Sequence, residues 1–361
     1  MVREAKLLNP GAILTEASLH WAKTTTIGLD TEFVRERTFF PKPGLIQVCG
    51  DHRVWLIDAV VDNPFTELSQ MLDRADTVKV LHSVGEDLEI FRIVAGTLPQ
   101  PLFDTQIAAA MLGFPLQIRY ENLIEHCFGI DLPGGKARSN WCARPLVPEL
   151  LEYAAQDVVW LPRLHDYLSE ALQARQRLQW LQEDCQRIVD LARAEPDAVQ
   201  PLARVKGAGR LEDKALAWLL PLVGWRDEQA RQRDVPRSFV ARDEALLETA
   251  ARLVPSGPIE SALTALPAGL RRRHGQRLLQ WLEVNGPAEN FQRPAELNSP
   301  SQEQRAWLKQ AQQHVREQAQ RLEIDPALIA SKRELARLAR GEQPDWMGGW
   351  RAELMQGLPE P

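Results

Sequence analysis

Short apolar, β-rich runs occur at Thr26 to Phe33, Leu45 to Cys49, Arg53 to Asp58 and Val78 to His82, separated by turn residues such as Pro41, Pro43, Gly44, Gly50 and Asp51. These runs are predicted strands. Three closely spaced strands ahead of a helical stretch predict an antiparallel meander leading into α/β units. Ser83-Val-Gly-Glu86 has the S-x-x-E form of a capping box and predicts a helix from near Val84 to about Val94. Leu102 to Asp104 follows as a short strand, and Thr105 to Leu112 and Tyr120 to Phe128 as short helices. A longer helical run from Val147 to about Leu191 is interrupted near Pro162. From Ala194 to Arg210 the periodicity fades and Pro and Gly enter, which predicts a linker. Beyond it the spacing is helical only, through Leu211 to Gln232, Arg242 to Arg252 and Arg272 to Val284. A second linker is predicted at Asn285 to Pro300, ahead of a last helical block that ends near Leu358.

The helical half repeats itself at an offset of 89 residues. Ala217-Trp218-Leu219 matches Ala306-Trp307-Leu308, Ala230 matches Ala319, Val240-Ala241 matches Ile329-Ala330, and Leu246 and Ala250 match Leu335 and Ala339. Chance coincidence of Ala and Leu on two helices is the bland explanation. The paired Trp and a register shared across three blocks favour a duplicated small helical domain.

The chain has 361 residues, 44% hydrophobic and 25% charged, enough for two or three cores. No window reaches the apolar length of a membrane span and Met1 to Pro10 lacks a signal pattern, so a cytoplasmic monomer is expected. Cys49, Cys127, Cys142 and Cys185 form no C-x-x-C pair, which argues against a disulfide framework or a structural zinc. A net charge of −6 would disfavour a polyanionic partner, but the average hides an asymmetry. Residues 1 to 200 carry 19 basic and 28 acidic residues, net −9, whereas the remainder carries 24 and 21, net +3.

Candidate chemistry concentrates in the acidic half. Asp30 and Glu32 lie two apart on an apolar strand, so both carboxylates project from one face about 7 Å apart along the chain. Such a pair is costly to bury unless a cation neutralises it, although a solvated strand end or pairing with Arg35 and Arg37 would also serve. Glu86-Asp87 begins a helix, where an acid is favoured by the helix terminus alone. Tyr153 and Asp157 lie four apart on a helix and share a face roughly 6 Å apart, an arrangement equally common in core packing. Together these are four carboxylates and a phenol from three elements, with no catalytic His or Cys. Oxygen-only donors suit Mg²⁺ or Mn²⁺, and two such ions roughly 3.5 to 4 Å apart can promote phosphodiester cleavage.

The segments GLDTEFVRERTFFPKPGLIQV, VLHSVGEDLEIF, PLFDTQIAAAMLG and LEYAAQDVVWL, in this order, resemble the exonuclease motifs of the DEDD superfamily. Tyr153, four residues before Asp157, is similar to the DEDDy branch; Glu152 stands where a His-type branch would need its histidine. The tandem helical repeats resemble HRDC modules, and the whole order, through SKRELARLA and GGWRAELM, resembles the bacterial ribonuclease D family.

The resemblance implies an α/β ribonuclease H-like domain with a mixed sheet over residues 1–200. Two small all-α HRDC bundles would follow, over 211–287 and 298–361. It also implies that Asp30, Glu32, Asp87 and Asp157 hold two divalent metal ions, Mg²⁺ or Mn²⁺, with Tyr153 orienting the attacking water. The implied activity is 3′-to-5′ trimming of tRNA precursors and other small structured RNAs, with release of 5′-mononucleotides.

Arg35, Arg37, Phe39, Phe40 and Lys42 form a candidate phosphate-gripping and base-stacking loop, or a solvated loop with two core Phe residues. His82 reads as a satisfied strand-end histidine. Asn140 stands in KARSNW where the family commonly has an acid. In the helical half, Arg231, Arg233, Arg237, Arg271 to Arg273 and Arg277 are candidate RNA contacts or a solvated face. A DNA-directed 3′-5′ exonuclease and a catalytically inactive RNA-binding scaffold are the competing readings.

Overall fold

A computed structural model describes residues 7–8, 12–61, 65–194, 200–254 and 257–358. Six strands form one sheet: β1 (Leu7–Leu8), β2 (Thr26–Val34), β3 (Lys42–Gly50), β4 (Arg53–Asp58), β5 (Val78–Leu81) and β6 (Leu102–Asp104), in the order β1-β4-β3-β2-β5-β6. β2, β3 and β4 pair antiparallel as the meander predicts, while β5 and β6 join β2's other side in parallel. β1, which sequence reading did not find, adds a short parallel strand to β4. Isolated two-residue strands have no periodicity to detect.

The helices of this region are α1 (Ala12–Trp21), α2 (Thr66–Leu72), α3 (Asp87–Ala95), α4 (Thr105–Met111), α5 (Tyr120–Phe128), α6 (Pro148–Val159), α7 (Leu161–Ala174) and α8 (Leu178–Arg193). The interruption expected near Pro162 falls at Trp160, because Pro162 sits in the first turn of α7, where its missing N–H costs nothing. The capping box expected at Ser83 does not form. Ser83 adopts φ +62 and α3 starts at Asp87, because the backbone N–H groups of Ser83 and Val84 are taken by the carboxylate of Asp104.

The remaining helices are α9 (Gln200–Ala203), α10 (Asp213–Gln232), α11 (Arg237–Val240), α12 (Asp243–Leu253), α13 (Ile259–Ala262), α14 (Ala268–Asn285), α15 (Gln302–Leu322), α16 (Pro326–Ile329), α17 (Lys332–Leu338) and α18 (Trp350–Leu354). The internal repeat reappears in three dimensions. α10, α11 and α12 start at Asp213, Arg237 and Asp243, and α15, α16 and α17 start 89 residues later at Gln302, Pro326 and Lys332.

Both expected linkers are more ordered than their composition suggests. Residues 195–199 of the first lie outside the described residues, but Leu202, Val205 and Ala208 are buried in the core built by α10, α12 and α14. In the second, Arg293 donates to the carbonyls of Leu211 (2.8 Å) and Gly209 (2.7 Å) and to Asp213 (2.9 Å). Ala288 N–H fills the acceptor that Pro221, inside α10, leaves open at Ala217 O, at 2.9 Å.

By contacts the chain divides into two compact units. One comprises Met1–Val34, Pro41–Ala194 and Ala306–Pro361; the other comprises Arg35–Phe40 and Glu195–Arg305.

Candidate active site

β2 is the central strand that carries the first acidic pair. Ile27 and Leu29 are fully buried, β5 pairs the strand over Thr26–Gly28 and β3 pairs it from Gly28 onward, which fixes the direction of Asp30 and Glu32. Gly28 lets the α6–α7 junction rest directly on this strand. A Cβ there would meet Leu161 Cβ at 2.8 Å and Val158 O at 3.0 Å. This close approach brings Asp157, in the last turn of α6, to β2. Carboxylate oxygens of Asp30, Glu32 and Asp157 lie within 4.8 Å of one another. Asp87, at the start of α3, lines the same cavity, and its carboxylate accepts a hydrogen bond from the hydroxyl of Thr31, the residue between the first two acids.

Tyr153, one turn before Asp157 on α6, completes the lining. The cavity has a volume of about 580 Å³, in the range of small-ligand sites. Glu32 and Asp87 are only 8% and 9% exposed. Burial first, and then the neighbouring carboxylates, push Asp30 well above the usual carboxylate range and Glu32 up to about 9. Burial pushes Asp87 and Asp157 up to about 7, against the opposing influence of the Thr31 hydrogen bond at Asp87 and of the nearby Tyr153 hydroxyl at Asp157. At neutral pH the cluster therefore holds protons instead of full negative charge, and a divalent cation can take their place. Burial and then the charge of Asp157 also raise Tyr153, so its phenol stays protonated and acts as a donor rather than a base.

Several supporting residues were not singled out from sequence. Gln47, directly opposite Asp30 on β3 and fully buried, donates to Asp30 Oδ2 at 3.4 Å, and its own Oε1 has no partner. Glu121, at the start of α5, adds a further acid to the lining. Trp141 is fully buried and packs against Tyr153, with ring centroids 6.1 Å apart. The loop carrying Trp141 is pinned by Arg144, which forks onto Asp58 at 2.5 and 2.8 Å and donates to Trp141 O and Gly44 O. Gly44 is required for this approach, since a Cβ would lie 2.7 Å from Trp141 O. Only the register of β2 against β3 could have pointed to Gln47, and register is not a local signal.

Asn140, in the place of the family's acid, accepts from Cys142 N–H at 3.3 Å, and the pinning charge pair is Arg144 with Asp58 instead. His82 is satisfied as expected: Nδ1 meets Thr105 Oγ1 at 2.8 Å and Nε2 meets Ile118 O at 3.0 Å, and burial lowers its pKa.

In the second candidate group, Arg35 and Phe39 line a cavity of about 740 Å³ within their own unit. The Arg231 and Arg237 guanidinium groups lie 5.2 and 4.7 Å from the Phe39 ring centroid, and Asp234 accepts from the backbone N–H groups of Phe39 and Phe40. Phe40 is 39% exposed.

Comparison with known proteins now adds to the geometry. Residues 9–173 match the 3′-5′ exonuclease family and residues 215–282 the HRDC domain family. Ribonuclease D of Xanthomonas oryzae is 35% identical over 341 residues, which cover 94% of this chain and 93% of that protein. The chain belongs to the ribonuclease D family. Ribonuclease D of Pseudomonas paraeruginosa is 34% identical, with 98% and 96% of the two chains covered. The crystal structure of Escherichia coli RNase D superposes with a TM-score of 0.86 at 29% identity, over 98% of this chain and 96% of that one.

As a ribonuclease D family member, the chain is a 3′-5′ exoribonuclease with a nucleic-acid substrate, and its acidic cluster fits divalent metal use. Among the described residues no helix is long and apolar enough to cross a membrane.

Proposed function

We propose that this exoribonuclease trims tRNA precursors and other small structured RNAs from the 3′ end, releasing 5′-mononucleotides, with two divalent ions, Mg²⁺ or Mn²⁺, held by Asp30, Glu32, Asp87 and Asp157. The observation that carries the reading is the meeting of three carboxylates within 4.8 Å, with the fourth lining the same cavity. Hard oxygen donors with raised proton affinities are what a hard cation displaces protons from. When bound, two such ions supply Lewis acidity at the attacked phosphate and neutralise the departing 3′ oxygen. The chain's own part is positional. Tyr153, kept protonated and braced by Trp141, holds its hydroxyl beside Asp157 and orients the incoming water. Buried Gln47 and Thr31 hold Asp30 and Asp87 in place.

Arg35, Arg37, Phe40 and Lys42 offer exposed cationic and aromatic groups for the RNA, while Phe39, beside two guanidinium groups, anchors the segment from Arg35 to Phe40. Residues 298–361 form a second HRDC module after the first at 211–287 in the chain, a reading supported by the constant shift in helix starts.

A 3′-extended tRNA and a matched DNA oligonucleotide, each incubated with Mg²⁺, Mn²⁺ or chelator and resolved to single nucleotides, test the proposal. Mononucleotide release from the RNA alone, abolished by chelator and by Asp30→Asn or Asp157→Asn, is expected. Equal release from DNA would favour the DNA-directed reading, and tight RNA binding without release would favour the inactive scaffold.

A further inference from the structure

Asp104 ends β6 and is paired in register with Leu81, the last residue of β5. Its carboxylate is buried and accepts from four backbone N–H groups. Two belong to the first turn of α4, which Asp104 caps: Gln106 at 2.8 Å and Ile107 at 3.2 Å, both on Oδ1. The other two belong to the turn between β5 and α3: Ser83 at 3.3 Å on Oδ1 and Val84 at 2.9 Å on Oδ2. Capping α4 needs only the first pair, and a serine would serve equally well.

The second pair clamps a turn that is unfavourable by itself. Ser83 sits at φ +62, a left-handed conformation that a side chain bearing Cβ rarely adopts. Asp87 follows four residues later at the first position of α3, and its carboxylate is met by Thr31. A turn free to relax at Ser83 would let α3 start elsewhere and swing Asp87 off the cavity. We infer that Asp104 is a positioning residue for the metal centre: by clamping Ser83 and Val84 it presents Asp87 to the cation before the cation arrives. The inference rests on the reading of Asp87 as a ligand. Groups that orient ligands in this way typically govern metal affinity by about 10- to 100-fold.

Mn²⁺ binding to the full chain without RNA, followed by calorimetry or electron paramagnetic resonance, is the test. Asp104→Ser keeps a hydroxyl for the α4 cap but is too short to reach the neighbouring turn as well. It is expected to bind Mn²⁺ about 10- to 100-fold more weakly at unchanged stoichiometry. Asp325→Ser, the same substitution at the cap of α16, controls for a lost cap alone and should leave Mn²⁺ affinity unchanged. Should Asp104→Ser fold poorly, Asp104→Asn carries the same expectation, because it can keep one oxygen on α4 while turning its amide N–H toward Val84. Wild-type Mn²⁺ affinity in the folded Asp104 variants, with Asp87→Asn impaired, would overturn the positioning role. Undiminished binding in Asp87→Asn would instead overturn the ligand reading beneath it.

Discussion

The two helical repeats begin alike and end differently. The first closes its own core: Leu216, Leu219, Val223 and Trp225 of α10 and Leu246 and Ala250 of α12 are covered by Leu278 and Leu282 of the long α14. Among the described residues the second has no such helix. After α17 it offers a single 3₁₀ turn and the five-residue α18, and its Trp307, Val315, Leu335 and Trp350 share a core with Leu181, Cys185 and Val189 of α8. The attachment is also polar. Arg351 forks onto Asp184 at 2.5 and 2.9 Å, Arg177 donates to Met111 O and Leu322 O, Trp350 N–H reaches Glu183 at 2.9 Å, and Trp180 stacks on Trp350 at 4.6 Å. In the first repeat the buried Arg226 keeps its partner, Asp243, inside the repeat. Two helix sets of like spacing thus form, in one case, a self-contained bundle and, in the other, one that borrows its closing helix from the exonuclease region.

Truncation should separate them most sharply. Ending the chain at Pro300 strips the cover from α8, and the exonuclease region is expected to lose its cooperative melt, whereas residues 200–297 alone should still unfold cooperatively by circular dichroism. Retention of a sharp exonuclease melt in the truncated chain would contradict the borrowed-helix account. Next in size, Arg351→Ala leaves Asp184, 3% exposed, with the longer 3.8 Å pair to Arg187 in place of its bidentate partner and should cost about 3 kcal/mol in denaturant unfolding. Arg351→Met combined with Asp184→Leu should recover most of that loss, since an apolar pair of similar volume carries no desolvation penalty.

A third difference is set by pH. The acidic cavity belongs to the unit that contains the second repeat, and its carboxyls have folded pKa values raised by burial to about 7 at Asp87 and Asp157 and about 9 at Glu32. Because the folded form holds these protons more tightly, their contribution is fully present below the ordinary carboxylate pKa and is lost as pH rises through 7 toward 9. Calorimetry of the metal-free protein should show its transition falling over that window, with Mn²⁺ restoring it. The melt of the isolated 200–297 fragment should respond to neither. Glu32→Gln should raise the metal-free transition at pH 8 while abolishing nucleotide release.

The smallest contrast is at matched helix starts. α17 opens with a capping box between Ser331 and Glu334, whereas α12 follows Arg242 with no side-chain cap. Ser331→Ala should cost about 1 kcal/mol, and Arg242→Ser should gain a fraction of that, measured by chemical denaturation.

What sequence could reveal follows the same division between local and distant causes. Asp30 with Glu32 and Tyr153 with Asp157 are legible because strand and helix periods place each pair on one face. The repeat is legible because helix starts keep a constant shift. Asp104 is not, because its importance comes from reaching into the turn of a neighbouring strand, 20 residues away at Val84. The capping box at Ser83 misleads for the same reason: its local pattern is complete, but a distant carboxylate takes the N–H groups first. The borrowed helix is equally hidden, since Arg351 and Asp184 are 167 residues apart.

The strand that carries Asp30 and Glu32 is paired to β3 from Gly28 through Val34, against a strand buried from Gly44 to Gly50. Opening it means opening the sheet against its own core, so this stretch should exchange slowly with solvent. The crowding of its acids consequently cannot be relieved by local breathing. Only protons or cations arriving from outside can relieve it, and that makes the rigidity of a strand pinned to the core the source of the site's appetite for metal.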